Sequence, residues 1–113
     1  MKTNQNLIKF ESGLDLESGA RLDSFELMVE TYGELNKNRS NGILVCHAFS
    51  GNHQAAGIIN DKKETGLWDN IIGPGKAVDT NKYFVVCSNN VGGCSGSSGP
   101  LSINPASKKP YGK

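Results

Sequence analysis

The chain has 113 residues, enough for one small domain. Its formal net charge is +1, with 12 Lys and Arg against 11 Asp and Glu, so it carries neither the basic footprint of a nucleic-acid binder nor an acidic tail. No apolar run is long enough to span a bilayer, and the polar start Met1-Lys2-Thr3-Asn4-Gln5-Asn6 lacks the apolar core of a signal peptide, which points to the cytoplasm.

Leu7-Ile8-Lys9-Phe10 reads as a short extended segment. Leu14-Asp15-Leu16-Glu17 alternates apolar and polar residues until Ser18-Gly19 breaks it. Phe25-Glu26-Leu27-Met28-Val29-Glu30 alternates more clearly. Phe25, Leu27 and Val29 fall on one face, and Glu26 and Glu30 fall on an opposite face expected to be wet. These segments predict an antiparallel ribbon at the start of the chain, turning at residues 17–20 and ending at Tyr32-Gly33. Residues 34–41, polar and rich in Asn, read as a surface loop.

Ile43-Leu44-Val45-Cys46 is apolar at every position. Four such residues suit a strand buried on both faces of a parallel sheet, whereas a helix needs about ten. His47-Ala48-Phe49-Ser50-Gly51 then turns small and polar at the carboxyl end of that strand, where open α/β sheets bind ligands. Residues 52–66 show no clean periodicity and include the charged patch Asp61-Lys62-Lys63-Glu64. Leu67-Trp68-Asp69-Asn70-Ile71-Ile72 predicts a short helix stopped by Gly73-Pro74-Gly75. Asp79-Thr80 marks a turn, and Lys82-Tyr83-Phe84-Val85-Val86-Cys87 is the next strand. Strand, helical connection, strand is a βαβ unit, so residues 43–46 and 83–87 should pair in parallel with residues 25–30 beside them. The fold class expected is α/β: a mixed sheet in which an antiparallel ribbon precedes parallel strands.

Chemistry has three candidate homes. At the first, His47 reads most simply as a structural histidine, because no nucleophile is identifiable within its reach. The peptide N–H groups of residues 48–51 suit stabilisation of an oxyanion, although an ordinary strand-to-loop turn is the simpler reading. The second is the stretch Gly93-Cys94-Ser95-Gly96-Ser97-Ser98, which lacks the lysine of a phosphate-binding loop and the spacing of a Gly-x-Ser-x-Gly elbow. The third is Trp68-Asp69-Asn70, where packing and a surface acid are the plain readings. Cys46, Cys87 and Cys94 form no Cys-x-x-Cys pair, so no metal or redox site is expected; Cys46 and Cys87 read as buried thiols.

A series of short motifs resembles the N-terminal part of the homoserine O-acyltransferase family of the α/β-hydrolase superfamily. They are Leu16-Glu17-Ser18-Gly19, Glu30-Thr31-Tyr32-Gly33-Glu34-Leu35-Asn36, Cys46-His47-Ala48-Phe49-Ser50-Gly51, Trp68-Asp69-Asn70-Ile71-Ile72-Gly73-Pro74-Gly75-Lys76, Asn89-Asn90-Val91-Gly92-Gly93-Cys94, Gly96-Ser97-Ser98-Gly99-Pro100 and Ser102-Ile103-Asn104-Pro105. The resemblance implies acyl transfer from acetyl-CoA or succinyl-CoA to the hydroxyl of L-homoserine, at the head of methionine biosynthesis. It implies an acyl-serine intermediate, acyl-CoA as co-substrate with no bound cofactor or metal, a homodimer for the full-length protein, and no nucleic-acid or membrane partner. It also implies that Phe49, where the family usually has Leu, gives a backbone N–H to the oxyanion hole. His47, Ala48, Ser50 and Gly51 would line the adjoining pocket.

No member of the Ser-Asp-His triad is expected among these residues. Residues 1–113 would be the N-terminal portion of a single α/β-hydrolase domain, with the nucleophile elbow, the lid and the rest of the triad beyond Lys113. On that expectation the chain alone is a truncated, inactive fragment. A non-enzymatic remnant or complementing fragment is one alternative, and an esterase of the same fold is another.

Overall fold

The computed structural model describes residues 1–60 and 63–112, so Asp61 and Lys62 of the charged patch lie outside the described residues. The alternating segments become two long strands, β1 (Thr3–Phe10) and β4 (Phe25–Tyr32), antiparallel from Thr3 opposite Tyr32 to Phe10 opposite Phe25. The paired Phe10 and Phe25 rings stack with centroids 5.0 Å apart. Between them, β2 (Leu14–Asp15) and β3 (Arg21–Leu22) form a small separate hairpin. The expected turn closes it through Leu16 N–H to Ala20 O at 2.9 Å.

β5 (Gly42–Val45) and β8 (Phe84–Ser88) are parallel, and β4 pairs antiparallel with β8, giving the strand order β1-β4-β8-β5. This is the mixed sheet expected from the sequence. Two further short strands, β6 (Ile72–Gly73) and β7 (Val78–Asp79), pair in parallel within the connection from β5 to β8.

Register decides which face becomes the core. Glu30, Cys87 and Val45 stand in one row across β4, β8 and β5; Tyr32, Val85 and Ile43 stand in the next. These two rows share a face, because alternate residues of a strand point the same way. Residues of the connection, Ala55, Ala56 and Ile72, cover it and complete the core with Tyr32, Val45, Val85 and Cys87.

Four expectations change as a result. β5 is not buried on both faces: Val45 is buried but Leu44 is 69% exposed, because the sheet face that carries Leu44 is left uncovered at β5. Cys46 lies one residue past the strand and its thiol is exposed, unlike that of Cys87. The face expected to be wet is not wet at Glu30, which is buried because it shares the covered face with Tyr32 and Cys87. Burial pushes its carboxyl upward from the ordinary value, opposed by the Tyr32 hydroxyl.

The predicted helix at residues 67–72 is instead a turn. Only six residues separate Gly66 from Gly73-Pro74, too few to recover the cost of nucleation. One helix-type bond survives, Ile72 N–H to Trp68 O at 3.0 Å, before Ile72 enters β6. Among the described residues there is no helix at all, hence none long and apolar enough to cross a membrane.

Gly33 ends the ribbon for a steric reason. Its φ is +78°, and a Cβ there would stand 2.4 Å from the Tyr83 carbonyl oxygen and 2.6 Å from that of Thr80.

Candidate functional site

The candidate site is the turn that leaves β5. Cys46 and His47 continue from the strand, and the chain reverses over Ala48, Phe49, Ser50 and Gly51, closed by Gly51 N–H to Ala48 O at 2.8 Å. This is a four-residue turn with Phe49 and Ser50 at its centre. The N–H of the first central residue takes no part in closing such a turn. Among the described residues the Phe49 N–H has no acceptor, and the Phe49 side chain stands fully in solvent at 105% exposure. The backbone donor expected at Phe49 is therefore unengaged and reachable.

His47 is held differently. Its Nδ1 lies 2.7 Å from Ala48 O, and a carbonyl only accepts, so Nδ1 carries the proton. Its Nε2 is buried without a partner among the described residues. The ring borders a gap of about 10 Å³ with Val45, Asn52, Ala55, Leu67 and Trp68, scarcely the volume of one water. The structural role read for His47 thus has a definite partner, its neighbour's carbonyl. Of the other pocket residues, Ala48 and Ser50 are exposed and Gly51 is half-buried on the same turn.

Behind the turn lies a residue that the sequence did not single out. His53 is 5% exposed, and both ring nitrogens lack partners among the described residues. Burial depresses its pKa below the usual histidine value, and the nearby His47 adds to this. Nothing in the aperiodic run around it marks His53 as buried.

The two other candidates are structural. Asp69 Oδ1 accepts the Gly57 N–H at 2.8 Å, and Oδ2 stands 3.3 Å from Lys76 Nζ. The Gly57 N–H is the main cause of a depressed Asp69 pKa; the charge thus braces the connection. In the Gly-Ser stretch, Ser97 Oγ accepts the Met28 N–H at 2.9 Å and donates to Asn89 O at 2.6 Å. Ser98 Oγ accepts the Glu26 N–H at 2.8 Å, and Ser98 N–H returns a bond to Glu26 O at 2.8 Å. These hydroxyls replace a strand partner where β8 stops and β4 runs on. Grooves of about 330 and 570 Å³ border this stretch, and neither includes a residue of the turn at 47–51. Among the described residues no three His, Cys, Asp or Glu side chains converge as metal ligands.

No protein-family model matches the chain. Over 107 residues, 94% of its length, it is 59% identical to a homoserine O-succinyltransferase of Saccharophagus degradans. Over 104 residues it is 60% identical to the enzyme of that name from Nitrosomonas europaea. The chain is homologous to homoserine O-acyltransferases. It spans about 28% of the length of the curated relatives it matches.

Among solved structures, a homoserine O-acetyltransferase from Bacillus anthracis superposes with a TM-score of 0.85 at 39% identity, over 98% of this chain and 31% of that one. An esterase superposes almost as well, with a TM-score of 0.83 at 33% identity, over 97% of this chain and 32% of that one. The sheet of this acyltransferase homologue is thus the mixed sheet of an α/β-hydrolase-type fold.

Proposed function

We propose that residues 1–113 are the N-terminal portion of a single-domain homoserine O-acyltransferase, which passes an acyl group from acyl-CoA to the hydroxyl of L-homoserine. The observation that carries the reading is the identity of about 59% over nearly the whole chain to proteins named for that reaction. The shape of the sheet does not separate transferase from esterase, since both superpose nearly equally well; the sequence identity favours the transferase. Succinyl-CoA is the favoured donor, because the relatives near 59% identity carry the succinyl name and the acetyl name appears at 39%. The reading places the enzyme in the cytoplasm as a homodimer, without nucleic-acid or membrane partners.

On this reading the Phe49 N–H is one donor of the oxyanion hole. When a serine attacks the thioester carbonyl, charge develops on its oxygen, and a fixed amide stabilises that charge without reorganising. Homoserine oxygen then attacks the acyl-serine. His47 takes no proton in either step, since its Nδ1 is committed to Ala48 O and its Nε2 is buried. No Gly-x-Ser-x-Gly occurs in the sequence, so the nucleophile would come from elsewhere.

The test reads the gene past codon 113 and assays the encoded polypeptide for thiol release from succinyl-CoA or acetyl-CoA, with and without homoserine. Homoserine-dependent release, absent from the 113-residue chain assayed alone, is the expected result. Release that ignores homoserine, or uses water as readily, would overturn the reading in favour of an esterase.

A further inference from the structure

The turn after β5 grips one peptide group more firmly than its exposure requires. Ala48 and Phe49 are both exposed, yet the Ala48 carbonyl receives two donors: Gly51 N–H at 2.8 Å and His47 Nδ1 at 2.7 Å. A carbonyl oxygen has two lone pairs, so its accepting capacity is filled. The described residues contain no cis peptide bond. The Ala48 C=O and the Phe49 N–H therefore lie in one rigid plane and point in opposite directions. Fixing the oxygen fixes the direction of the N–H.

We infer that His47 is a positioning residue for the Phe49 N–H: its imidazole clamps the Ala48 carbonyl and so aims the adjoining amide at the place an oxyanion would occupy. This inference rests on the reading of Phe49 as an oxyanion donor given above. The clamp also polarises the amide, because a hydrogen bond to the carbonyl makes the N–H of the same peptide a better donor.

Two further features hold the ring in place. The imidazole borders the small gap shared with Asn52 and Trp68, so swinging Nδ1 away would require that gap to open. Gly51 closes the other side. A Cβ at Gly51 would lie 3.1 Å from His47 Cβ and 3.2 Å from Nδ1, so a larger residue there would push the ring or the turn aside by a few tenths of an ångström.

The experiment separates donor position from bulk. Asparagine carries its amide nitrogen where histidine carries Nδ1, glutamine carries it where histidine carries Nε2, and leucine carries no donor. First, the histidines of the polypeptide encoded by the whole gene are labelled with ¹⁵N, and His47 is assigned by the signal lost in His47→Asn. A His47 locked with its proton on Nδ1 is expected; a proton on Nε2, or an averaged signal, would overturn the clamp.

Second, the variants are assayed in the polypeptide that shows homoserine-dependent transfer. His47→Leu and His47→Gln should lower kcat by about tenfold or more with KM unchanged, while His47→Asn stays within about threefold of the native rate, as expected for misaiming one oxyanion donor. Equal losses in all three variants, or a change confined to KM, would overturn the positioning role. A locked Nδ1 proton in a protein with no homoserine-dependent turnover would count against the acyltransferase reading and leave the clamp standing.

Discussion

The phenolic oxygen of Tyr32 accepts the Ala55 N–H at 2.8 Å, so the last residue of β4 holds the connection against the covered face of the sheet. It also accepts the Ala56 N–H at 3.1 Å. Tyr32 is fully buried. Ala55 N–H keeps a second acceptor in His53 O at 3.0 Å, but among the described residues Ala56 N–H has no acceptor apart from the phenol. Tyr32→Phe preserves the ring and strands that one donor, which costs about 1–3 kcal/mol. Amide hydrogen exchange at residues 55 and 56 should quicken in the variant, while exchange in the β1–β4 ribbon stays unchanged.

The ribbon and the parallel pair were legible because alternation and continuous apolarity are local signals that the pleat turns directly into faces. The one-sided burial of β5 was not. Leu44 and Val45 are equally apolar, and only what packs on each face distinguishes them. Glu30 shows the same limit from the polar side: its register opposite Cys87, set by a strand more than fifty residues later, puts a carboxyl into the core. The helix at residues 67–72 failed because the glycines that bracket it leave only six residues, too few to recover the cost of nucleation. At the candidate site, the place of the turn could be read from the switch to small residues after β5. The His47–Ala48 bond that fixes it could not, since a side chain bonding the next residue's carbonyl has no sequence pattern of its own.

The oxyanion role proposed for Phe49 predicts a split between two substitutions. Proline is favoured at the first central position of a common four-residue turn, so Phe49→Pro should keep the turn while deleting its N–H. Removing one oxyanion donor typically lowers kcat by about 10²–10³. Phe49→Leu leaves the backbone donor intact and should remain within a few-fold of the native rate. Both are read as homoserine-dependent CoA release in the active polypeptide. An active Phe49→Pro variant would remove Phe49 from the site.

The three thiols should divide by exposure. Cys46 and Cys94 are exposed and Cys87 is buried, so a maleimide added at neutral pH should label the first two, and Cys87 only after denaturation. Burial raises the Cys87 pKa from 9.0 to about 11 and, as the largest cause, raises that of Tyr32 from 10.0 to about 12. Both groups are harder to ionise in the folded state than in the unfolded one. Their stabilisation is therefore fully present below pH 9, fades from there as each passes its unfolded value, and is lost as the pH rises through 11 to 12. His53 has the opposite sign: its depressed pKa favours the fold above the ordinary value of 6.5 and is lost on acidification through its lowered pKa. Mass-spectrometric counting of labels and an alkaline titration of tyrosinate absorbance check the first two groups. Early labelling of Cys87 would show that the core opens readily.

The last prediction concerns the open side of the sheet. Among the described residues β5 pairs only with β8, so its other edge presents unpaired N–H and C=O groups, and Leu44 beside it is 69% exposed. An exposed apolar edge strand is a template for another chain. Covering one leucine completely is worth about 1.5–3 kcal/mol, and pairing the edge adds to it. The purified 113-residue chain should therefore self-associate, eluting ahead of a monomer in size-exclusion chromatography and unfolding without one sharp transition. Leu44→Lys places a charge on the edge and removes the apolar patch, so it should shift the elution toward monomer without changing the β1–β4 ribbon. A native chain that elutes as a sharp monomer and melts cooperatively would mean that the β5 edge is protected within this chain.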